Sequence, residues 1–244
     1  MKKIFAFLAL LLLMTCPGRG QEEVRKSDPG TDAQPKAWKS VFGVNTGISI
    51  PVNEFALHTF TYDAGFAAPG PNIEAEFLYY GKVFGLSSSF GYSNLFFNEK
   101  DYLAEYNRVL EGYGTNAVSA GNFHVMKLLV GFTLKIPEFS HTEIMLLFHL
   151  GAAVSVHPEI EVSNSRLGTI NTVVKSSGRS AISNATLKVN YWMTDMYGLS
   201  MNAGLNATQP SFSDPTGPEG IFSLPIRYTN INLGFVMKIK APRQ

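Results

Sequence analysis

Asn230-Ile231-Asn232-Leu233-Gly234-Phe235-Val236-Met237-Lys238-Ile239 changes side-chain polarity nearly residue by residue. Successive side chains of an extended strand point to opposite faces. Ile231, Leu233, Phe235, Met237 and Ile239 therefore share one side, and Asn230, Asn232, Gly234, Val236 and Lys238 share the other. One face is apolar and the other largely polar. Tyr197 to Thr208 repeats the pattern, with Tyr197, Leu199, Met201, Ala203, Leu205 and Ala207 against Gly198, Ser200, Asn202, Gly204, Asn206 and Thr208. Six consecutive alternations do not fit a helical period.

The chain from Trp38 to Lys240 divides into eight such stretches. The first runs from Ser40 to Ile50, with Phe42, Val44, Thr46, Ile48 and Ile50 opposed to Gly43, Asn45, Gly47 and Ser49. The others cover Asn72 to Tyr80, Val83 to Phe97, His124 to Ile136, Thr142 to Val156, Ile182 to Met193, Tyr197 to Thr208, and a last strand beginning near Arg227.

Connections alternate in length. Gly81-Lys82, Pro137 to His141 and Thr194 to Met196 are short, whereas Pro51 to Pro71, Asn98 to Phe123, His157 to Ala181 and Gln209 to Ile226 are long. Gly81 followed by Lys82 suits a type II′ hairpin. Facing residues of a hairpin lie on one side of the sheet, so each short turn must bring polar face to polar face. Pairing Tyr80 with Val83, Ile136 with Thr142 (Lys135 then opposite Glu143), and Met193 with Tyr197 satisfies that condition at all three turns. In the second long loop, Leu103, Tyr106, Val109 and Leu110 have near-helical spacing. They predict a short helix from Asp101 to Glu111, ended by Gly112-Tyr113-Gly114 and covering the barrel mouth.

The fold class that follows is all-β: a transmembrane antiparallel up-and-down β-barrel of eight strands, with short periplasmic turns and long extracellular loops. A strand crossing hydrocarbon must pair every backbone polar group, and only a closed sheet leaves no edge. Tyr79, Phe84, Tyr191 and Tyr197 at one end, with Tyr92, Phe96 and Phe97 at the other, are placed for interfacial girdles. No apolar run reaches the about 18 to 20 residues of a spanning helix.

Composition narrows the partners. The 244 residues are 16% charged with a formal net charge of +1 and no Lys/Arg cluster, which excludes the clustered cations that nucleic acid requires. A mean hydropathy of +0.04 suits strands that need only one apolar face. Lys2 and Lys3 precede the apolar run Ile4 to Met14, and Gly18-Arg19-Gly20 offers small residues to a signal peptidase. Residues 1–20 thus read as a signal peptide cleaved between Gly20 and Gln21, and residues 21–37 as a flexible periplasmic lead-in to the barrel of residues 38–244. The alternative makes Cys16, the single cysteine, a lipidated first residue, because Leu13-Met14-Thr15-Cys16 resembles a lipobox.

In strand pattern and loop asymmetry, the chain after residue 37 resembles the small outer-membrane barrels of Gram-negative bacteria, of the OmpA and OmpX type, and porin-like barrel domains. The resemblance implies residence in the outer membrane, surroundings of lipid and lipopolysaccharide, insertion by the barrel-assembly machinery, and a monomer. Many such barrels end on an aromatic residue, whereas this chain continues past Phe235 to Gln244.

Glu74, Glu76, Lys127, Lys135, Glu143, His149, Lys188 and Lys238 fall on the inward side. Side chains nearly fill an eight-stranded interior, so these groups predict a packed core of paired charges; aqueous channels need about 16 strands. Three functions stay open. The first is a non-enzymatic membrane component with a structural, adhesive or small-solute role. The second is a lipid-modifying enzyme. For it, Glu143 and His149 lie about 20 Å apart along one strand, so His124 or His157 would have to meet Ser or Glu from neighbouring loops. The third is a soluble lipocalin-like barrel with its apolar faces inward. No metal, nucleotide or other cofactor motif is present, and the sequence names no ligand of the loops.

Overall fold

The alternating stretches become β1 (Lys39–Pro51), β2 (Gly70–Tyr80), β3 (Phe84–Phe97), β4 (Phe123–Phe139), β5 (Thr142–His157), β6 (Ser176–Trp192), β7 (Tyr197–Thr208) and β8 (Ile226–Ile239). The computed structural model describes residues 38–60, 64–109, 115–139, 141–213 and 220–239. The expected signal peptide, its Gly20/Gln21 cleavage point, Cys16 and the lead-in lie outside these residues. Each strand pairs antiparallel with its sequence neighbours, and β1 closes on β8 from Ser40↔Ile239 to Pro51↔Tyr228. No strand of the ring is left with a bare edge.

Two of the three short turns sit at a different register from the expected one, and both keep their faces. Tyr80 aligns with Gly85 rather than Val83, and the Gly81 N–H donates to the Phe84 carbonyl at 2.9 Å. The hairpin tip is therefore Lys82-Val83, and Gly81 does not adopt the positive φ of a type II′ turn. Shifting by two residues leaves Glu76 facing Ser89 on the inside. At the second turn Lys135 aligns with Met145, not Glu143, and the ladder shifts between Ile136 and Phe139. Pro137 lies in that shift and has no N–H to give a ladder. Trp192 pairs with Gly198, as expected at the third.

The faces sort as the alternation requires. Leu128, Val130, Leu150, Leu233 and Phe235 point outward, each at least 60% exposed. Asn45, Asn72, Ser89, Asn190, Asn202, Asn206 and Asn232 are buried inside. This polarity overturns the lipocalin-like reading, which needs the apolar set inside. A continuous band of bare apolar side chains is stable against hydrocarbon, so the barrel spans a bilayer, and a closed barrel of this polarity is an outer-membrane architecture. Tyr79, Phe84, Tyr191 and Tyr197 lie exposed at the short-turn rim and Phe96 at the other. Phe97 is a correction: it packs on Phe123 and Tyr102 at the mouth instead of joining the girdle.

Beyond the outer rim the long loops are structured. α1 (Glu99–Val109) starts two residues before the predicted helix. Asn98 caps it: its Oδ1 accepts the Asp101 N–H at 3.2 Å and its Nδ2 donates to Asp101 Oδ2 at 2.7 Å. Gly112-Tyr113-Gly114 lies outside the described residues. Asn116–Ala120, Ile160–Asn164 and Gly168–Val173 form a small antiparallel sheet, and Ser211–Ser213 pairs with Ile221–Ser223. β6 begins at Ser176 rather than Ile182, its polar first turn pairing with the end of β5. Above the bilayer no apolar face is needed, so no alternation marks this extension.

Candidate functional site

β2 and β6 stand across the ring from one another, four strands apart in either direction. Glu76 on β2 and Lys188 on β6 nevertheless form an ion pair through the middle of the lumen. Beside it Lys127 on β4 meets Glu74 on β2 at 2.7 Å and donates to Asn206 Oδ1 on β7 at 3.0 Å. His149 Nδ1 lies 3.0 Å from Asn184 Oδ1, and Asn184 Nδ2 donates to Asn206. Charges this deep are tolerable only when paired. Glycines on the wall make room for them. A Cβ at Gly43 would lie 2.6 Å from Glu76 Oε1, and one at Gly91 would lie 2.7 Å from Lys127 Cε.

Toward the short turns a second bridge crosses the ring. Lys39 on β1 reaches Glu143 on β5 at 3.1 Å, again four strands away, and Lys135 reaches the same oxygen at 3.1 Å. The Tyr80 hydroxyl donates to the other Glu143 oxygen at 2.6 Å. Lys238 lies 3.9 Å from the Trp192 ring centroid, a cation–π contact. Lys39, Glu143, Trp192, Asp195 and Lys238 line an open vestibule of about 530 Å³ below this level. Glu74, Glu76, Lys127, His149 and Lys188 gather at mid-height, and Lys135, Glu143 and Lys238 toward the short turns. No sequence signal marks Lys39, Tyr80 or Asn206, because each is ordinary in an alternating strand and matters only through a partner distant in sequence.

The outer third of the lumen departs from the expected polar interior. Leu95, Phe123, Val125, Leu129, Ile182, Ile226 and Tyr228 point inward there, joined by Phe55 from the β1–β2 loop and Phe212 from the β7–β8 loop. Phe55 and Phe123 meet edge to face at 5.0 Å, and His157 packs against Phe123 and Phe212 at 5.3 and 5.6 Å. Above this plug the loops leave a cavity of about 460 Å³, walled by Phe60, Phe66, Phe97, Tyr102, His157 and Phe222 together with Ala64, Ile160 and Val173. Tyr102 on α1 meets Phe60 and Phe66 at 5.0 Å and Phe97 at 5.3 Å. The expected mouth-covering role of the helix thus has a specific form, one wall of a ring-lined pocket.

The histidines weighed for acyl chemistry have other partners. His124 Nδ1 is 2.7 Å from the Tyr92 hydroxyl, and His157 Nδ1 donates to the Pro158 carbonyl at 2.8 Å. Among the described residues, no three His, Cys, Asp or Glu side chains converge as metal ligands.

No family model matches the chain, and no curated protein matches it. Solved structures do. The attachment invasion locus protein Ail of Yersinia pestis is 11% identical, covering 83% of this chain and 97% of its own at a TM-score of 0.42. The outer membrane protein OprG of Pseudomonas aeruginosa is 10% identical over 83% and 97%, at 0.43. A major outer membrane protein of Thermus thermophilus is 11% identical over 82% and 99%, at 0.44. These are outer-membrane proteins of varied role. The bilayer-spanning barrel is carried by the chain's own closed ladder and apolar exterior.

Proposed function

We propose that this protein is a non-enzymatic, non-conducting outer-membrane barrel whose role, recognition or attachment at the cell surface, resides in its outer loops. The observation that carries the reading is the pair of ion bridges, Glu76–Lys188 and Lys39–Glu143, each joining opposite walls of the lumen. A permeating ion would have to part them and then pass the rings of Phe55, Phe123 and Phe212. In contrast, the loops are built: a helix, a three-stranded sheet, a hairpin and a pocket stand on the outer rim. Conserving a scaffold while placing function on loops is how rigid β-frameworks are used. His124, His149 and His157 are engaged by a phenol, an amide and a carbonyl rather than by a serine and an acid, which supports a non-catalytic role. Lipid and lipopolysaccharide surround the apolar band, the barrel-assembly machinery inserts it, and the closed ring suits a monomer.

Planar-bilayer recording tests this. The purified full chain is expected to give no discrete openings above the bare membrane, and reproducible ion-conducting steps would overturn the sealed-lumen reading. Lipid A acylation is expected to stay unchanged on overexpression, and a new acylation pattern would restore the enzyme alternative.

A further inference from the structure

One wall of the pocket above the plug is strained backbone. Phe66 has φ 48, in the left-handed region that a bulky side chain rarely adopts. It is fixed there from both sides: its N–H donates to the Leu57 carbonyl at 3.1 Å, and its carbonyl accepts the Asn98 N–H at 2.8 Å. Gly65 lets this loop lie on Phe55, since a Cβ there would fall 2.5 Å from the Phe55 ring and 2.6 Å from its carbonyl oxygen. Such strain persists where surrounding structure imposes it, and it clusters at ligand clamps. Here the strained residue is itself part of the pocket wall.

The wall has one chemical character. Phe60, Phe66, Phe97, Tyr102, His157 and Phe222 present rings, Ala64, Ile160 and Val173 fill between them, and among the described residues no Asp, Glu, Lys or Arg lines it. The about 460 Å³ is within the range of small-molecule sites. Phe60, Phe66 and Tyr102 meet edge to face at 5.0 to 5.6 Å, the geometry in which a planar guest adds further ring contacts. Tyr102 brings the one phenol among the described lining residues; burial and the neighbouring Tyr106 push it above its ordinary value.

We infer that this pocket binds a small, neutral, planar aromatic molecule carrying a hydrogen-bond acceptor, taken from the external medium. The inference rests on the reading above that the loop end faces outward, and it gives that surface a ligand class. A flexible acyl chain is the competing occupant. It would gain area burial alone.

The test uses the full chain in nanodiscs with labelled Ile and Val methyls, titrated with 2-naphthol, naphthalene and n-octanol. 2-Naphthol is expected to shift the Ile160 and Val173 methyls saturably, while lipid-facing Ile73 and Ile231 drift in proportion to the amount partitioned. Tyr102→Phe should weaken 2-naphthol about three- to tenfold and leave naphthalene unchanged, the size of one lost hydrogen bond. Ala64→Trp, checked for an intact amide spectrum, should fill the pocket and abolish saturation. Pocket methyls that only track the lipid-facing ones in the unmodified protein would overturn the inference, as would an equal saturable response to n-octanol. Silent methyls in a barrel that does not conduct would sink the ligand and spare the sealed barrel; conductance with saturable methyls would do the reverse.

Discussion

At mid-height the lumen is crossed by charge, whereas at its outer mouth it is filled by rings. The belt of Glu74, Glu76, Lys127 and Lys188 belongs to the strands themselves, and its side chains meet only because the closed register places β2 across from β6. The plug of Phe55, Phe123 and Phe212 is assembled from one strand end and two loops, and it needs volume more than geometry. One narrow lumen is thus closed in two ways with different failure modes. An ion pair that loses one partner strands a charge, whereas a ring cluster loses stability in proportion to what is removed.

The largest expected effect follows from that contrast. Lys188→Met leaves Glu76 buried without its partner and should destabilise the barrel by about 3–5 kcal/mol in urea titrations in lipid vesicles. The double variant Lys188→Met/Glu76→Leu should recover most of the loss, and a double variant as unstable as the single one would break the argument for charge pairing. Next comes the plug. Phe123→Ala should cost about 3 kcal/mol through the cavity it leaves, with no partner substitution able to restore it. Gly65→Val, which drives a side chain into Phe55, should cost about 1–3 kcal/mol by overpacking and loosen the mouth without touching the belt. Smallest is the exposed Arg227–Glu54 pair at 3.2 Å on the rim. Arg227→Ala should change stability by less than about 1 kcal/mol, and by less still in high salt.

The two regions also differ in how far the sequence disclosed them. Alternation of period two marks which residues face inward, so Glu76, Lys127 and Lys188 could be placed in the lumen before any pairing was known. It does not say which of them meet, since Glu76 and Lys188 are 112 positions apart and find each other only through ring closure. The short turns show the limit from another side. A register displaced by two residues preserves every face, so parity could not distinguish Tyr80↔Val83 from the actual Tyr80↔Gly85. The plug was hidden for a different reason. Leu95, Phe123 and Ile226 occupy inward positions with apolar side chains, and an apolar residue on a strand reads equally as lipid-facing until its neighbours fix the phase. Phe97 illustrates the error directly: an aromatic near a strand end suggests a girdle, yet its ring packs on Tyr102 of the loop helix. The pocket depends on the positive φ of Phe66 and on the close approach of Gly65 to Phe55, and neither leaves a mark in composition.

Ion conductance of two variants, side by side in planar bilayers, tests whether charge crossing the lumen seals it. In the first, Phe55, Phe123 and Phe212 are replaced by Ala, which empties the mouth. In the second, Glu74, Glu76, Lys127 and Lys188 are replaced by Ala, which removes the belt. With the ion bridges across the lumen still in place, the mouth variant should remain as silent as the unmodified protein. Discrete openings from the mouth variant would show that the rings, and not the charges crossing the lumen, are what seal this barrel.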